Sequence, residues 1–295
     1  MKVHLVDGTY ELFRHFYAIP KRRNSKGQEI AATRGVVLSM LNLLSESTHV
    51  AVATDHIIES FRNELWPDYK DGSGIDPDLR SQFSLLEDAL QSLNMIVWPM
   101  IEYEADDALA AGAAICSADP RVEQVVICTP DKDLAQCVSG DHVVQLDRRR
   151  KRLLNEEAVV AKFGVLPKSI PDYLALVGDS ADGYPGIAGW GAISASRALR
   201  KFTHLEKIPK EVVHWKVDVT NAGRLSATLK ADWENALLYR RLATLVVDGP
   251  VRNSVDDLFW NSPTPSFEKI CEYLESPDFV ARAHSLSQAR SKLSD

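Results

Sequence analysis

Carboxylates at five places along the chain are the side chains best suited to chemistry. They are Asp7, Asp55, the group Glu104, Asp106 and Asp107, the pair Asp131 and Asp133, and the pair Asp179 and Asp182. Several carboxylates packed together raise one another's pKa unless cations neutralise them. Hard oxygen ligands without a cluster of His or Cys favour Mg²⁺ or Mn²⁺ over zinc. The residue types therefore predict a site for divalent cations.

The acids follow short segments that we interpret as buried strands. Near-continuous apolar runs occur at Val3–Val6, Val50–Ala53, Met95–Trp98 and Val125–Cys128. Between them, helical periodicity covers Thr33–Leu44, Leu79–Leu93 and Asp106–Ile115. This alternation predicts an α/β fold with a mostly parallel central sheet flanked by helices. Ligands bind beyond the carboxyl ends of such strands, so we expect the acids to meet at one edge.

Each acid also has an ordinary structural interpretation. A single Asp after a strand often forms a turn or caps a helix. Asp106 and Asp107 fall where the first turn of a helix favours negative charge. That interpretation has to be repeated for every element, which favours a shared metal site over five unrelated caps.

A glycine-rich segment follows the last acidic pair and leads into a helical pattern that ends near Leu199. Its small residues permit a tight turn and close approach of another backbone, and they are Gly186, Gly189, Gly191 and Ser194. Amide groups at the start of the following helix suit a phosphate or a bound cation, for which K⁺ is our candidate. The arrangement is typical of a helix–hairpin–helix motif.

Composition narrows the class of protein further. The 295 residues are 45% hydrophobic and 25% charged, as in a soluble globular protein of one or two domains. The apolar runs fall short of the roughly 18–20 residues of a membrane span, and Asp7 comes too early for a secretion signal. We expect a cytoplasmic protein with no membrane partner, whose four cysteines are reduced thiols. The net charge of −7 does not exclude nucleic acid, because bound cations would neutralise the clustered acids locally.

Taken in order, these motifs resemble the 5′–3′ exonuclease and flap endonuclease family, and most closely the 5′ nuclease domain of bacterial DNA polymerase I in stand-alone form. The matching segments are residues 5–9 with Arg14, Asp55 with residues 60–64 and 69–70, residues 103–107, residues 129–134, and residues 178–186. Residues 236–244 also resemble the helical C-terminal region of the family. The resemblance implies a PIN-like 5′ nuclease core over residues 1–166, with an arch at about 57–80. It also implies a helical part over 167–295 that carries a helix–hairpin–helix-type motif at about 179–199.

The resemblance also implies roles for individual residues. One cation would be surrounded by Asp7, Asp55, Glu104, Asp106 and Asp107, and a second by Asp131, Asp133, Asp179 and Asp182. Lys70 and Arg62 would contact the scissile phosphate, with Arg14 near the phosphates at the floor of the site. DNA would also be contacted by Tyr69, Arg80, Gly186, Gly189, Gly191 and Ser194. Two-metal hydrolysis of DNA phosphodiester bonds would follow.

The chain departs from the family pattern at three places. The Arg that usually follows the Tyr69-Lys70 pair is absent, and Arg80 is the candidate substitute. Gly183 replaces the usual Asn, and Ile193-Ser194 replaces the usual Lys-Thr of the hairpin. The missing charges predict a weaker grip on downstream duplex DNA while leaving the acids intact.

Other function classes remain open at this point. A PIN-like ribonuclease would usually be shorter and lack the glycine hairpin, and a non-catalytic branched-DNA binding protein should lack some of the acids. A metal-dependent phosphatase for small molecules would not need an arch sequence. The leading hypothesis is a monomeric, structure-dependent 5′ nuclease of DNA replication and repair. It would act on DNA with 5′ ends, flaps or nicks, in a bacterial cytoplasm and in association with the nucleoid.

Overall fold

The computed structural model describes residues 1–294, with the side chains of residues 1–291, and these fall into two compact units. Unit 1 contains residues 1–58, 72–129 and 247 onward, and unit 2 contains residues 59–71 and 130–246. The units interleave along the chain, whereas the predicted division at residues 166 and 167 follows chain order. That division stays a prediction, and its last residue, Asp295, lies outside the described residues.

Strands with buried, β-branched sequences organise unit 1. The strands of the chain are β1 (Lys2–Asp7), β2 (His49–Asp55), β3 (Ile96–Met100), β4 (Gln124–Cys128), β5 (Val143–Asp147) and β6 (Arg152–Leu154). Within unit 1 the order is β3-β2-β1-β4 and every neighbouring pair is parallel. Asp7 is in register with Ala53, and Asp55 with Met100. Parallel pairing brings the carboxyl ends of the four strands to one edge, as predicted.

Helices follow the strands of unit 1 in alternation and dominate unit 2. In chain order they are α1 (Gly8–Ala18), α2 (Ala31–Leu44), α3 (Phe61–Leu65), α4 (Pro77–Arg80), α5 (Gln82–Ser92), α6 (Ala105–Ala118), α7 (Glu156–Phe163), α8 (Ile170–Val177), α9 (Ala192–Phe202), α10 (Ala222–Ala231), α11 (Trp233–Ala243), α12 (Phe267–Tyr273) and α13 (Asp278–Ser294). The predicted α/β class, with its helical C-terminal part, is confirmed by this arrangement.

Two predicted helices are each divided in the structure. The segment Leu79–Leu93 contains α4 and α5, which meet at Ser81; α4 is a single turn started by the side chain of Asp76, which accepts from the Asp78 amide. The sequence pattern also predicts a helix over Leu225–Leu245, its strongest helical segment after residue 200. This segment contains α10 and α11, which meet at Asp232, where φ is −113° and ψ is 31°. In addition, α1 was not predicted.

Unit 2 has its own apolar core. Helix α8 packs against α9 and α11, and β5 pairs with β6 in antiparallel fashion. The core includes Leu176, Trp190, Trp215, Leu225 and Tyr239. This core supports the loops that carry the acids at 131–133 and 179–182.

The cysteines are free thiols, as predicted, and three of the four are buried. Burial raises the pKa of the Cys116 and Cys271 thiols to about 12, so they stay protonated at neutral pH.

In residues 1–294, helices long and apolar enough to cross a bilayer do not occur.

Candidate metal centre

Three buried carboxylates of unit 2 converge in space although they lie up to 49 positions apart in the printed sequence. Asp133, Asp179 and Asp182 each offer one oxygen, and these oxygens lie within 4.8 Å of one another. The three residues are only 6%, 4% and 7% exposed, respectively. Like charges held this close in a buried place need a cation, so the cluster has the chemistry of a divalent metal site.

Asp133 is positioned by the chain that immediately precedes it. Its amide donates to Asp131 Oδ1 at 2.9 Å, and a short 3₁₀ helix, Asp133–Cys137, begins there. Asp131 is exposed and is outside the cluster of three. The structure therefore brings together three of the four acids predicted for the second cation and places Asp131 as the residue that orients Asp133.

A closed turn positions Asp179 and Asp182. The Asp179 amide donates to the Tyr184 carbonyl at 2.8 Å, and the Tyr184 amide returns the bond to Asp179 at 3.0 Å. The Ala181 amide donates to Asp179 Oδ1 at 3.0 Å. Gly183 completes the turn with φ +84°, and a Cβ there would lie 2.0 Å from the Asp68 carbonyl oxygen. The Asn that the family pattern usually has would require the Asp68 carbonyl to move, so the departure to Gly183 fits the close approach of that carbonyl.

Without a cation, burial and the neighbouring carboxylates of the cluster disfavour ionisation of Asp133. Burial, followed by the charges of Asp131 and Asp182, raises the pKa of the Asp133 carboxyl well above its ordinary range. Asp133 Oδ1 is buried and, among the described residues, has no hydrogen-bond partner. An orphaned acceptor beside two further buried carboxylates fits a hard divalent cation, which would supply the missing contact.

Two lysines of unit 2 supply local positive charge. Lys70 Nζ lies 3.2 Å from Asp182 Oδ1, and the Lys70 amide donates to the Asp182 carbonyl at 3.1 Å. Lys132 forms an ion pair with Asp179. Sequence reasoning assigned no role to Lys132, although its position between Asp131 and Asp133 was an available signal.

The acids of unit 1 lie at the carboxyl ends of its strands, where hydrogen bonds link neighbouring elements. Asp7 Oδ1 accepts from the Tyr10 amide at 2.8 Å, and Oδ2 accepts from the Thr129 hydroxyl at 3.0 Å. Asp55 Oδ1 accepts from the Ala105 amide at 2.8 Å. Asp7 thus caps α1, and Asp55 caps the start of α6, so the ordinary capping role is real for both.

The acids at the start of α6 are likewise both candidate metal ligands and helix caps. The Glu104 amide donates to Asp107 Oδ2 at 3.1 Å, in a reciprocal cap. Glu104 is 3% and Asp107 0% exposed, whereas Asp106 is half-buried. Burying carboxylates at a helix start is favoured by the helix dipole, and it leaves this edge of the sheet acidic.

Arg62 was predicted to contact the scissile phosphate, and the structure places it elsewhere. Its side chain is 1% exposed, and its guanidinium donates to the carbonyls of Leu242 at 2.8 Å and Thr244 at 3.2 Å. Burial and these hydrogen bonds hold the guanidinium inside unit 2 rather than at its surface. The geometry gives Arg62 a capping role at the carboxyl end of α11, where the helix dipole favours a cation.

The remaining predicted residues occupy varied environments. Arg14 forms an ion pair with the buried Glu11 one turn earlier in α1. Tyr69 is buried in the core of unit 2, and Arg80 is exposed at the end of α4. Burial of the Tyr69 ring limits its predicted contact with DNA to the edge of the side chain or to the backbone.

The glycine hairpin has the geometry predicted for it. Gly186 and Gly189 have φ +71° and +86°, and a Cβ on Gly186 would lie 2.3 Å from the Gly178 nitrogen. The Gly191 amide donates to Ser194 Oγ at 3.0 Å at the start of α9. The hairpin borders an open depression of about 500 Å³ that is also lined by Arg197 and Arg224.

Comparisons with known proteins identify the family of the chain. Residues 2–164 match the family model of the 5′–3′ exonuclease N-terminal resolvase-like domain, and residues 165–266 match that of the 5′–3′ exonuclease C-terminal SAM fold. The chain is 31% identical over 292 residues to DNA polymerase I of Bacillus caldotenax, covering 94% of this chain and 32% of the polymerase. It is 33% identical over 270 residues to DNA polymerase I of Pseudomonas aeruginosa, covering 88% of this chain and 29% of the polymerase. The chain therefore spans about a third of the length of these relatives.

Solved structures share the fold at lower identity. The bacteriophage T5 D15 protein, co-crystallised with metal ions, superposes with a TM-score of 0.64 at 18% identity, covering 98% of this chain and 99% of that one. The catalytic core of Rad2, in complex with a DNA substrate, gives 0.61 at 14% identity, covering 97% and 92%. The resemblance inferred from the motifs is confirmed: the chain belongs to the 5′–3′ exonuclease family.

Proposed function

We propose that this protein is a structure-dependent 5′–3′ exonuclease and flap endonuclease that hydrolyses DNA by using two divalent cations. The observation that carries the proposal is the convergence of the buried carboxylates of Asp133, Asp179 and Asp182 within 4.8 Å, in a chain of this family. A purely structural role would not favour three buried acids with an orphaned oxygen.

The cations proposed are Mg²⁺ or Mn²⁺, because the donors are carboxylates. The second cation would be held by Asp133, Asp179 and Asp182, with Asp131 acting on Asp133. The first would be held by the acids of unit 1, which are Asp7, Asp55, Glu104, Asp106 and Asp107. When bound, such a pair of cations supplies an activated water and stabilises charge on the oxygens of a phosphodiester.

Lys70 would act directly on the substrate. Its side chain is 35% exposed and its ammonium group lies beside Asp182, so the group can turn from the carboxylate to a phosphate oxygen at the surface. A positive charge held there would stabilise negative charge as it develops during hydrolysis. Arg14, on the first turns of α1, would attract phosphate groups near the acids of unit 1.

The substrate proposed is DNA with 5′ ends, flaps or nicks. One solved relative is a flap endonuclease from bacteriophage T5 in a complex with DNA and metal ions. The exposed glycines of the hairpin, Gly189 and Gly191, let a DNA backbone approach closely, and Arg197 beside them suits a phosphate of duplex DNA, with K⁺ as an alternative occupant. Ile193 is 71% exposed at the place where the family pattern has Lys, which supports a weaker contact here. The wider roles proposed are DNA replication and repair, by a monomer in the bacterial cytoplasm at the nucleoid.

The direct test uses end-labelled 5′-flap, nicked and single-stranded DNA and a matching RNA flap, each with Mg²⁺, Mn²⁺ or EDTA. We expect products from the flap and nicked DNA with metal and none in EDTA. Asp179→Asn and Asp131→Asn should each lower the cleavage rate by about 100-fold or more, since even outer contacts of metal ligands are worth about 10–100-fold.

Asp248→Asn, which removes an exposed carboxylate, is the matched control and should cleave at the wild-type rate. Wild-type turnover by Asp179→Asn at saturating metal would refute the metal assignment. Cleavage confined to the RNA flap would instead support the ribonuclease alternative.

A further inference from the structure

A buried glutamate of α5 contacts the residues on both sides of Asp55, the last residue of β2. The Thr54 hydroxyl donates to Glu87 Oε1 at 2.7 Å, and His56 Nδ1 lies 2.7 Å from Glu87 Oε2. Thr54 lies in β2, and His56 directly follows its last residue, Asp55. One carboxylate thereby restrains the side chains before and after Asp55.

Glu87 is buried, and burying a carboxylate costs free energy unless hydrogen bonds compensate for the lost hydration. Glu87 is 6% exposed and Thr54 is 4% exposed. A buried carboxylate loses its hydration and must recover that free energy through hydrogen bonds. Both oxygens are used, one for each neighbour of Asp55. The small space beside Glu87 is lined by the apolar side chains of Phe83 and Leu86 and also by Asp55.

Asp55 is restrained from two further directions. Its amide donates to the Thr9 hydroxyl on α1 at 2.8 Å, and its Oδ1 accepts from the Ala105 amide at the start of α6 at 2.8 Å. Helix α1 approaches β2 so closely that a Cβ on Gly8 would lie 2.8 Å from Thr54 Cγ2. Glu87 thus completes a set of contacts from three helices around the end of β2.

We infer that Glu87 is a positioning residue for the first divalent cation, acting through Thr54 and His56 to hold the carboxylate of Asp55 in place. The inference rests on the proposed function, in which Asp55 is a ligand. Glu87 contacts the side chains of the two residues that flank Asp55, so its proposed effect is on the orientation of Asp55. Sequence reasoning missed Glu87 because its position within a helical pattern gives no signal of a polar partner in a strand.

The test measures Mn²⁺ binding by titration calorimetry and, separately, the metal dependence of flap cleavage. Asp55→Asn identifies the Mn²⁺ binding step to which Asp55 contributes, because this step is lost from the titration of that variant. Glu87→Leu should weaken that step by about 10–100-fold, because contacts that orient metal ligands typically have this effect. Glu87→Gln keeps an acceptor for Thr54 and a polar group for His56, so it should recover most of the affinity.

Asp88→Asn is the matched control, since Asp88 is exposed on the same helix, and it should bind Mn²⁺ as the wild type does. A role confined to stability would lower the melting temperature of Glu87→Leu but leave its Mn²⁺ affinity within twofold of wild type, and that result overturns the inference.

If Glu87→Leu does not fold, Thr54→Val decides the question, because it removes only the hydroxyl. It should weaken the same Mn²⁺ step severalfold, and unchanged binding would overturn the inference. Failure of the proposed function would look different: the wild type itself would neither bind Mn²⁺ nor cleave DNA. A wild type that does both, with Glu87→Leu unchanged, rejects the role of Glu87 alone.

Discussion

Asp133 illustrates the conflict between stability and function at the scale of one residue. Burial and the neighbouring Asp131 and Asp182 raise the pKa of its carboxyl well above the ordinary value. The folded chain therefore holds the proton more tightly than the unfolded chain does. The corresponding stability is fully present below the ordinary aspartate pKa of about 4 and is lost as the pH rises through the raised value. At neutral pH the cluster destabilises the metal-free protein.

We predict that Asp133→Asn stabilises the metal-free protein. In EDTA at pH 7.5, its free energy of unfolding should exceed that of wild type by on the order of 1 kcal/mol, because a buried charge is removed. The wild type should lose stability more steeply than the variant as the pH rises from about 4 through the raised pKa of Asp133. Urea unfolding at several pH values measures both, with Asp248→Asn as the control.

The same variants in excess Mg²⁺ complete the experiment. The wild type should gain stability from the cation by mass action, and Asp133→Asn should gain less because it binds the cation more weakly. An Asp133→Asn protein that is less stable than wild type in EDTA would contradict the electrostatic argument.

At the scale of elements, the turn from Asp179 to Tyr184 holds two metal-site acids through its backbone. The turn is closed by paired backbone bonds and depends on Gly183 at φ +84°. Trp66 Nε1 also donates to the Gly183 carbonyl at 3.0 Å, so the segment 59–71 supports the turn from within unit 2. Trp66 therefore has a packing role, with its ring edge against Tyr239.

We predict that Gly183→Ala disturbs this turn. A left-handed φ costs a residue with a side chain about 1–3 kcal/mol, and the Asp68 carbonyl 2.0 Å from the added Cβ makes the strain larger. Stability in urea should fall by at least about 1 kcal/mol, and the rise in melting temperature caused by Mg²⁺ should shrink.

Gly223→Ala provides the matched control for this substitution. Gly223 lies in α10, and a Cβ there meets nothing within 4 Å. Its stability should be unchanged or raised by up to about 1 kcal/mol, since Ala favours helix. If Gly183→Ala behaved like Gly223→Ala, the turn would not be the element that holds the acids.

At the scale of the whole molecule, the net charge of −7 opposes the approach of DNA. Phosphate binding draws on Lys and Arg, and acids near a phosphate repel it unless cations neutralise them. Divalent cations would therefore serve DNA binding as well as hydrolysis. Net charge affects the association of the protein with DNA rather than its fold, because it creates an electrostatic potential over the whole surface.

We predict that the affinity for a 5′-flap DNA depends on a divalent cation even when no cleavage occurs. Fluorescence anisotropy with Ca²⁺ in place of Mg²⁺ should show binding at least about tenfold tighter than in EDTA, a difference of about 1.4 kcal/mol. Ionic strength is matched with NaCl as the control, because salt alone weakens phosphate contacts. Equal affinities in Ca²⁺ and EDTA would show that the acids do not face the bound DNA.

Much of the fold and the family could be predicted because the signals are local. The buried strands around Val3–Val6 and Val125–Cys128, and the acids that follow them, depend on alternation of apolar runs with helical periodicity. The motifs around Asp107, Asp133 and Asp179 retain their order along the chain, so the family was recognisable without a structure. The glycine hairpin was likewise predictable, since only glycine adopts its backbone conformations without strain.

Only the tertiary structure decided which side chains are partners. It separated Asp131 from the cluster that Asp133 forms with Asp179 and Asp182, and it placed the guanidinium of Arg62 against the end of α11. It also joined Glu87 to the end of β2. A sequence records the period of each element, but contacts between residues 30 to 180 positions apart depend on how elements pack, which no single local pattern contains.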